Sequence, residues 1–185
     1  MSMKQIFFFG ILVATTFNIQ AQKFFTKDGT IRFFSNAKLE KIEATNNKAS
    51  IVYDAATGAI EIASLVKGFI FENAFMGEHF NETYIESDKF PKANFKGKLE
   101  NPAAVNVNVA GSYKAKVVGE LTMHGVTKPV STEGTFVVGG GKIDTDAKFT
   151  IKASDFDIKI PGDKADNISN VIEITCKSSL TELKK

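Results

Sequence analysis

The sequence predicts an all-β domain: an antiparallel barrel or sandwich of about eight strands, with one short helix after the fourth strand. Two observations carry this. Short runs of alternating apolar and polar residues recur at even spacing, with turn residues between them. One segment, residues 73–84, breaks the period of two and repeats its large apolar residues at helical spacing.

The elements follow in chain order. Residues 30–35 set Ile31 and Phe33 on one face, because strand side chains alternate. Residues 50–53 and 59–62 flank a short loop that ends in Gly58, as a hairpin would have. Ile51 and Tyr53 share a face in that pair, and so do Ile60 and Ile62. Residues 67–72 carry Phe69 and Phe71 together. Then comes the helical segment, with Phe75, Met76, Phe80 and Tyr84 recurring and Asn73 placed to cap the start. Gly77 weakens it by roughly 1 kcal/mol relative to Ala. A short helix packed on, or across, an end of the barrel is the expectation.

Residues 93–99 follow Pro91. Val105, Val107 and Val109 alternate with Asn106 and Asn108, which predicts a half-wet strand. Residues 114–124, 130–138, 147–153 and 170–180 complete the series. Within residues 119–130, Leu121 and Met123 point to one side and Glu120, Thr122 and His124 to the other. Gly125 breaks the run, and Pro129 belongs at a strand start or edge.

The N-terminus reads as a leader. Lys4 gives a positive start, residues 6–17 are almost wholly apolar, and Ala21 offers a small residue at the cut. The apolar run is shorter than the ~20 residues that a spanning helix needs, which disfavours an uncleaved anchor. Residues 1–21 are therefore expected to be a signal peptide cleaved after Ala21, leaving residues 22–185 as one exported domain without stable membrane insertion.

Composition narrows the chemistry. Of the 23 basic residues, those other than Lys4 nearly balance the 21 acidic ones, with mixed signs along the chain. A nucleic-acid partner, which needs clustered positive charge, is not expected. Cys176 is the single cysteine, so no internal disulfide can form. It lies on an apparently inward strand face, where a thiol acts as a small hydrophobe.

A His–carboxylate pair is available at His79, between Glu78 and Glu82, but the simpler reading is a solvated helix residue. His124 is read mainly as fixing its hairpin through a hydrogen bond. No G-x-S-x-G elbow occurs. The pairs Asp144/Asp146 and Asp155/Asp157 lack the Gly and late Glu of a calcium loop. The run Gly139-Gly140-Gly141-Lys142 has Phe136 and Ile143 where a phosphate loop needs Gly and Ser or Thr. No catalytic residue, metal or cofactor is expected.

What remains is an apolar interior. The chain holds 17 Phe and no Trp. Phe brings large apolar area and no polar atom that needs a partner. The candidate wall comprises Phe33, Ile51, Tyr53, Ile60, Ile62, Phe69, Phe71, Phe75, Met76, Phe80, Phe95, Leu121, Met123, Phe136, Phe149 and Ile151. Periodicity leaves open whether these residues fill the barrel or surround a cavity.

Three stretches resemble one family. Residues 119–130, G-E-L-T-M-H-G-V-T-K-P-V, resemble the signature hairpin of the YceI-like family. So do Asp88-Lys89-Phe90-Pro91 ahead of a strand, and Ala153-Ser154-Asp155-Phe156-Asp157-Ile158 late in the chain. The resemblance runs from about Gly29 to the C-terminus. It departs at residues 36–40, where many members carry an R-H-x-G-like segment.

The resemblance implies a lipocalin-like barrel in the bacterial periplasm or outside the cell. It also implies a long-chain lipid or isoprenoid ligand and no enzymatic activity. Head-group recognition is expected to differ where the segment departs, with His124 and Lys128 as candidate mouth residues beside the Gly125 corner. A homodimer is admitted by the family and by any exposed strand edge. The rival readings are a filled barrel with a structural or protective role and, further off, a lipid-modifying enzyme.

Overall fold

The computed structural model describes residues 22–183. Residues 1–21, on which the expected signal peptide falls, and Lys184–Lys185 lie outside the described residues. The strands are β1 (Lys23–Asn36), β2 (Lys41–Asp54), β3 (Ala59–Leu65), β4 (Ile70–Phe71), β5 (Lys92–Leu99), β6 (Gly111–Met123), β7 (Val126–Gly139), β8 (Lys142–Lys152) and β9 (Val171–Glu182). A short helix, α1 (Ala74–His79), follows β4 and continues through a wider turn over Phe80–Tyr84. Asn73 caps it, its side-chain oxygen accepting the Phe75 N–H at 2.9 Å.

Eight strands form a closed antiparallel barrel. Neighbours run β1-β9-β8-β7-β6-β5-β3-β2, and β2 returns to pair with β1. The two-residue β4 lies against Ala44 and Thr45 of β2, beyond the stretch that β3 covers. Closure removes the long free edges through which two chains would pair strand to strand.

Alternation decides the inside. On β7, Gly134, Phe136 and Val138 are buried while Glu133, Val137 and Gly139 are exposed. Two-residue turns set the register at two corners. His124-Gly125 joins β6 to β7 and Gly140-Gly141 joins β7 to β8, all four residues having positive φ, as hairpin turns of this kind require.

Two apolar clusters occupy the ends. Phe24, Tyr53, Leu99, Val105, Phe136 and Leu180, among others, pack the end that carries the 54–59 and 99–111 loops. Val66, Ile85, Ala153, Phe156 and Ile158 pack part of the opposite end, beneath the 66–91 and 153–170 segments.

The Val105–Val109 segment corrects the sequence reading. It is a loop, not a strand. The Asn106 and Asn101 side chains accept the N–H groups of Asn108 and Ala103, closing local turns that compete with strand pairing. Val105 is buried and Val107 packs beside it at the closed end, while Val109 is exposed. The 67–72 run is also mostly irregular, with strand only at β4.

Candidate functional site

Between the two end clusters lies a cavity of about 490 Å³. Fifteen of the sixteen wall residues expected from the sequence border it: Phe33, Ile51, Tyr53, Ile60, Ile62, Phe69, Phe71, Met76, Phe80, Phe95, Leu121, Met123, Phe136, Phe149 and Ile151. They come from eight strands, β1 to β8, from Phe69 just before β4 and from the α1 segment, and alternation turns the sets of the long strands inward.

Phe75 does not belong to this wall. It is 72% exposed, because at the start of α1 it points away from the barrel while Met76 and Phe80 turn toward it.

One side of the wall is aromatic. Phe33, Phe69, Phe71 and Phe80 meet with ring centroids 5.0–6.0 Å apart. The floor is the Tyr53 ring, 6.3 Å from Phe24 and 5.8 Å from Phe136. Burial pushes the Tyr53 hydroxyl up to about 12, with Asp54 adding to the effect.

The other side is made wide by small residues, of which the sequence reading singled out only Cys176 as inward. Register places Ala115, Gly134, Ala147 and Cys176 side by side across β6, β7, β8 and β9. The last three of these border the cavity. On β5 and β6, Gly97 faces Gly119, and the Phe95 ring lies across both: a Cβ on either glycine would come within 2.7 Å of it. The signal was present as inward-phase Gly and Ala, which hydrophobic patterning treats as neutral.

Cys176 faces the cavity, and burial, followed by Asp146, raises its thiol to about 11. It has the character of wall, not of a nucleophile.

The open end lies between the β1–β2 turn, the α1 segment and residues 160–168. Glu40, His79, Lys164 and Asn167 border the cavity there, and His79 and Lys164 are exposed. The polar rim is therefore not the pair expected from the sequence. His124 has φ of +51° and turns its ring away from the cavity. Its Nδ1 lies 2.8 Å from the Phe156 carbonyl and its Nε2 lies 3.1 Å from a Glu86 carboxylate oxygen. Phe90 packs edge-on at 4.7 Å. Lys128 opposes Leu121 but is exposed and outside the cavity wall, since its long stem carries the ammonium to solvent.

The three motif segments thus converge on one point: His124 from the hairpin, Phe90 from the D-x-F-P stretch and Phe156 from the late motif. Their shared role in this fold is to bind three loops together beside the cavity. Among the described residues no group of three or more His, Cys, Asp or Glu side chains is placed to hold a metal ion.

Comparison with known proteins agrees with this architecture. A family model described as the YceI-like domain matches residues 9–180. A UPF0312 protein of Pseudomonas putida is 36% identical over 85 residues, which are 43% of this chain and 41% of the relative. One from Pseudomonas fluorescens is 33% identical over 94 residues, 48% of this chain and 45% of the relative. The match therefore spans less than half the length of these relatives.

Among solved structures, a polyisoprenoid-binding domain from Saccharophagus degradans, implicated in plant cell wall breakdown, is similar with a TM-score of 0.75. It is 12% identical, over 89% of this chain and 100% of that one. Burkholderia cenocepacia BcnA gives 0.68 at 19% identity, over 83% and 96%. At these identities the likeness shows the fold.

Proposed function

The chain belongs to the YceI-like family, and from that premise we propose that it is a binding protein that shelters one long hydrocarbon chain in its barrel. The observation that carries this reading is the cavity, about 490 Å³ with a mostly apolar wall, packed shut at one end and bordered by Glu40, His79, Lys164 and Asn167 at its open rim. Ligand sites commonly fall in the range ~300–1,000 Å³. The binding described for the Saccharophagus degradans domain supports an isoprenoid or other lipid as the class of ligand.

The energetics suit a chain. Each buried methylene is worth roughly 0.8 kcal/mol, so about ten carbons gain ~8 kcal/mol before costs. Association removes half of that or more. Long chains bind usefully and short ones hardly at all. The wall provides burial and no arrangement of nucleophile, base and oxyanion donors, so the reading is carriage without chemistry. Export follows from the leader-like residues 1–21.

Native mass spectrometry tests the proposal. The gently purified protein should retain, or take up, the mass of one long-chain lipid. Ala147→Phe, which places a ring inside the tube at the small-residue belt, should lose it while staying folded. Wild-type protein that neither carries nor gains lipid mass refutes the reading.

A further inference from the structure

The open end of the barrel carries apolar residues on its outside as well as its inside. Eight large apolar side chains are exposed among the described residues, and five of them, Leu39, Leu65, Ile70, Phe75 and Val171, lie at that end. Val109 and Leu183 lie at the closed end, and Val137 on the outer flank of β7. Single exposed apolar residues are ordinary, but a collection of them around one opening marks a contact surface.

Three of the five flank the opening itself. Leu39 sits in the β1–β2 turn next to Glu40, Ile70 lies between Phe69 and Phe71, and Phe75 precedes Met76. Those neighbours border the cavity, while Leu39, Ile70 and Phe75 stand out from the lip, 70%, 70% and 72% exposed. Their backbones are held in place. The Leu39 N–H donates to the Asp166 carbonyl at 2.8 Å, Ile70 pairs with Thr45 of β2, and the Phe75 N–H donates to the Asn73 cap.

Charges of both signs are interspersed around the same lip. Lys38 pairs with Asp166 at 3.9 Å and Lys164 with Asp163 at 4.0 Å. Lys41 and Lys159, and likewise Glu72 and Glu78, stand exposed next to wall residues in the chain.

We propose that this end is a docking face for a zwitterionic lipid surface, entered by Leu39, Ile70 and Phe75. On the carrier reading of the cavity, a tail then passes between bilayer and barrel without crossing water. The collar surrounds the mouth, so whatever covers it also faces the bore, and a fluid lipid layer can do so and still give or take a chain. The three side chains project singly from three elements, which suits insertion among head groups rather than a fitted partner. Mixed charge gives no preference for an anionic surface. Such insertion strengthens with the apolar area buried and is indifferent to salt, whereas attraction of lysines to anionic lipid fades as salt screens it.

The chain has no Trp, so Phe75→Trp makes a lone reporter of the collar and Val137→Trp one of the flank. On phosphatidylcholine vesicles brominated along their acyl chains, Phe75→Trp emission should shift to the blue and be quenched about twofold or more, unchanged by about 0.5 M salt. Val137→Trp emission should stay as it is in buffer. Adding Leu39→Ser and Ile70→Ser to the Phe75→Trp protein should weaken its affinity for the vesicles about tenfold or more, because two apolar anchors are lost. Neither residue borders the cavity, so the lipid mass retained in native mass spectrometry should match that of the parent. Absence of quenching, equal quenching of both reporters, or quenching that needs anionic lipid and disappears with salt overturns the inference. So does a blue shift that follows protein concentration without vesicles, which assigns the collar to a second copy of the chain. The vesicle measurements need no bound ligand, so the docking face can fail with the carrier reading intact, and the carrier reading can fail with the docking face intact.

Discussion

His124 shows how one residue's backbone decides its role. Its left-handed φ, in a two-residue turn before Gly125, swings the ring off the strand face and onto Phe156 and Glu86. A carbonyl can only accept, so Nδ1 donates to Phe156. His124→Ala leaves that carbonyl unpaired and removes the surface on which Phe90 packs. A loss of about 1–3 kcal/mol is expected from an orphaned buried acceptor, read as a lower urea midpoint. His79→Ala, at the exposed rim, should fall within about 0.5 kcal/mol of wild type.

Cys176 and Tyr53 carry a pH dependence of known sign. Both are acids whose folded values are raised, to about 11 and about 12, from 9.0 and 10.0. The unfolded chain ionises them first, so the stability of the fold drops as pH climbs from about 9 toward 12 and is untouched below. Urea titrations at about pH 8 and about pH 10.5 should show this drop, and Cys176→Ala should remove part of it.

At the scale of elements, β2 explains both a success and a failure of sequence reading. Its second half, through Ile51 and Tyr53, was legible because it alternates cleanly. Its first half was not. Ala44 and Asn46 are buried in one phase, Ala49 and Ile51 in the other, and the pairing with β1 shifts register between them. A bulge resets the period of two, and a strand that changes phase reads as no strand at all. The same break hides the first part of β1, where Phe24 and Gly29 are buried on either side of the exposed Lys27 and Asp28.

Asn46 sits at that break and is fully buried. Its amide nitrogen donates to Ser64 Oγ at 2.9 Å and to the Leu65 carbonyl at 2.8 Å, and its oxygen accepts the Lys48 N–H at 2.8 Å. It thereby ties β2 to the point where β3 ends and the segment leading to α1 begins. Asn46→Ala strands the Leu65 carbonyl and the Lys48 N–H, a cost of about 1–3 kcal/mol. Hydrogen exchange should quicken first in residues 65–80, the lip that this side chain anchors, before it quickens in β6 and β7.

The whole molecule turns on why the barrel is hollow. Many of the large inward residues were readable in the sequence, and fifteen of the sixteen expected ring the cavity, but Ile42, Ile158, Ile160, Ile168, Ile172 and Ile174 border it too and were not among them. Whether they met in the middle was not readable, because that depends on which residues sit opposite them. Register answers it: Gly134, Ala147 and Cys176 lie in a row on one wall, and the Phe95 ring folds flat over Gly97 and Gly119 instead of reaching across. Small side chains on one side leave the bulky ones without partners to fill the bore, and lost contacts across a void weaken the empty fold. A ligand restores them, so it should stabilise as well as bind. At about 100 times its Kd a one-site ligand adds ~2.7 kcal/mol, which for a domain of this size raises Tm by about 5–10 °C. Differential scanning calorimetry with geranylgeraniol should show that rise in wild-type protein. Ala147→Phe should show little or none, because its ring already occupies the space the tail would take. A rise of equal size in both proteins would mean that the lipid binds outside the bore.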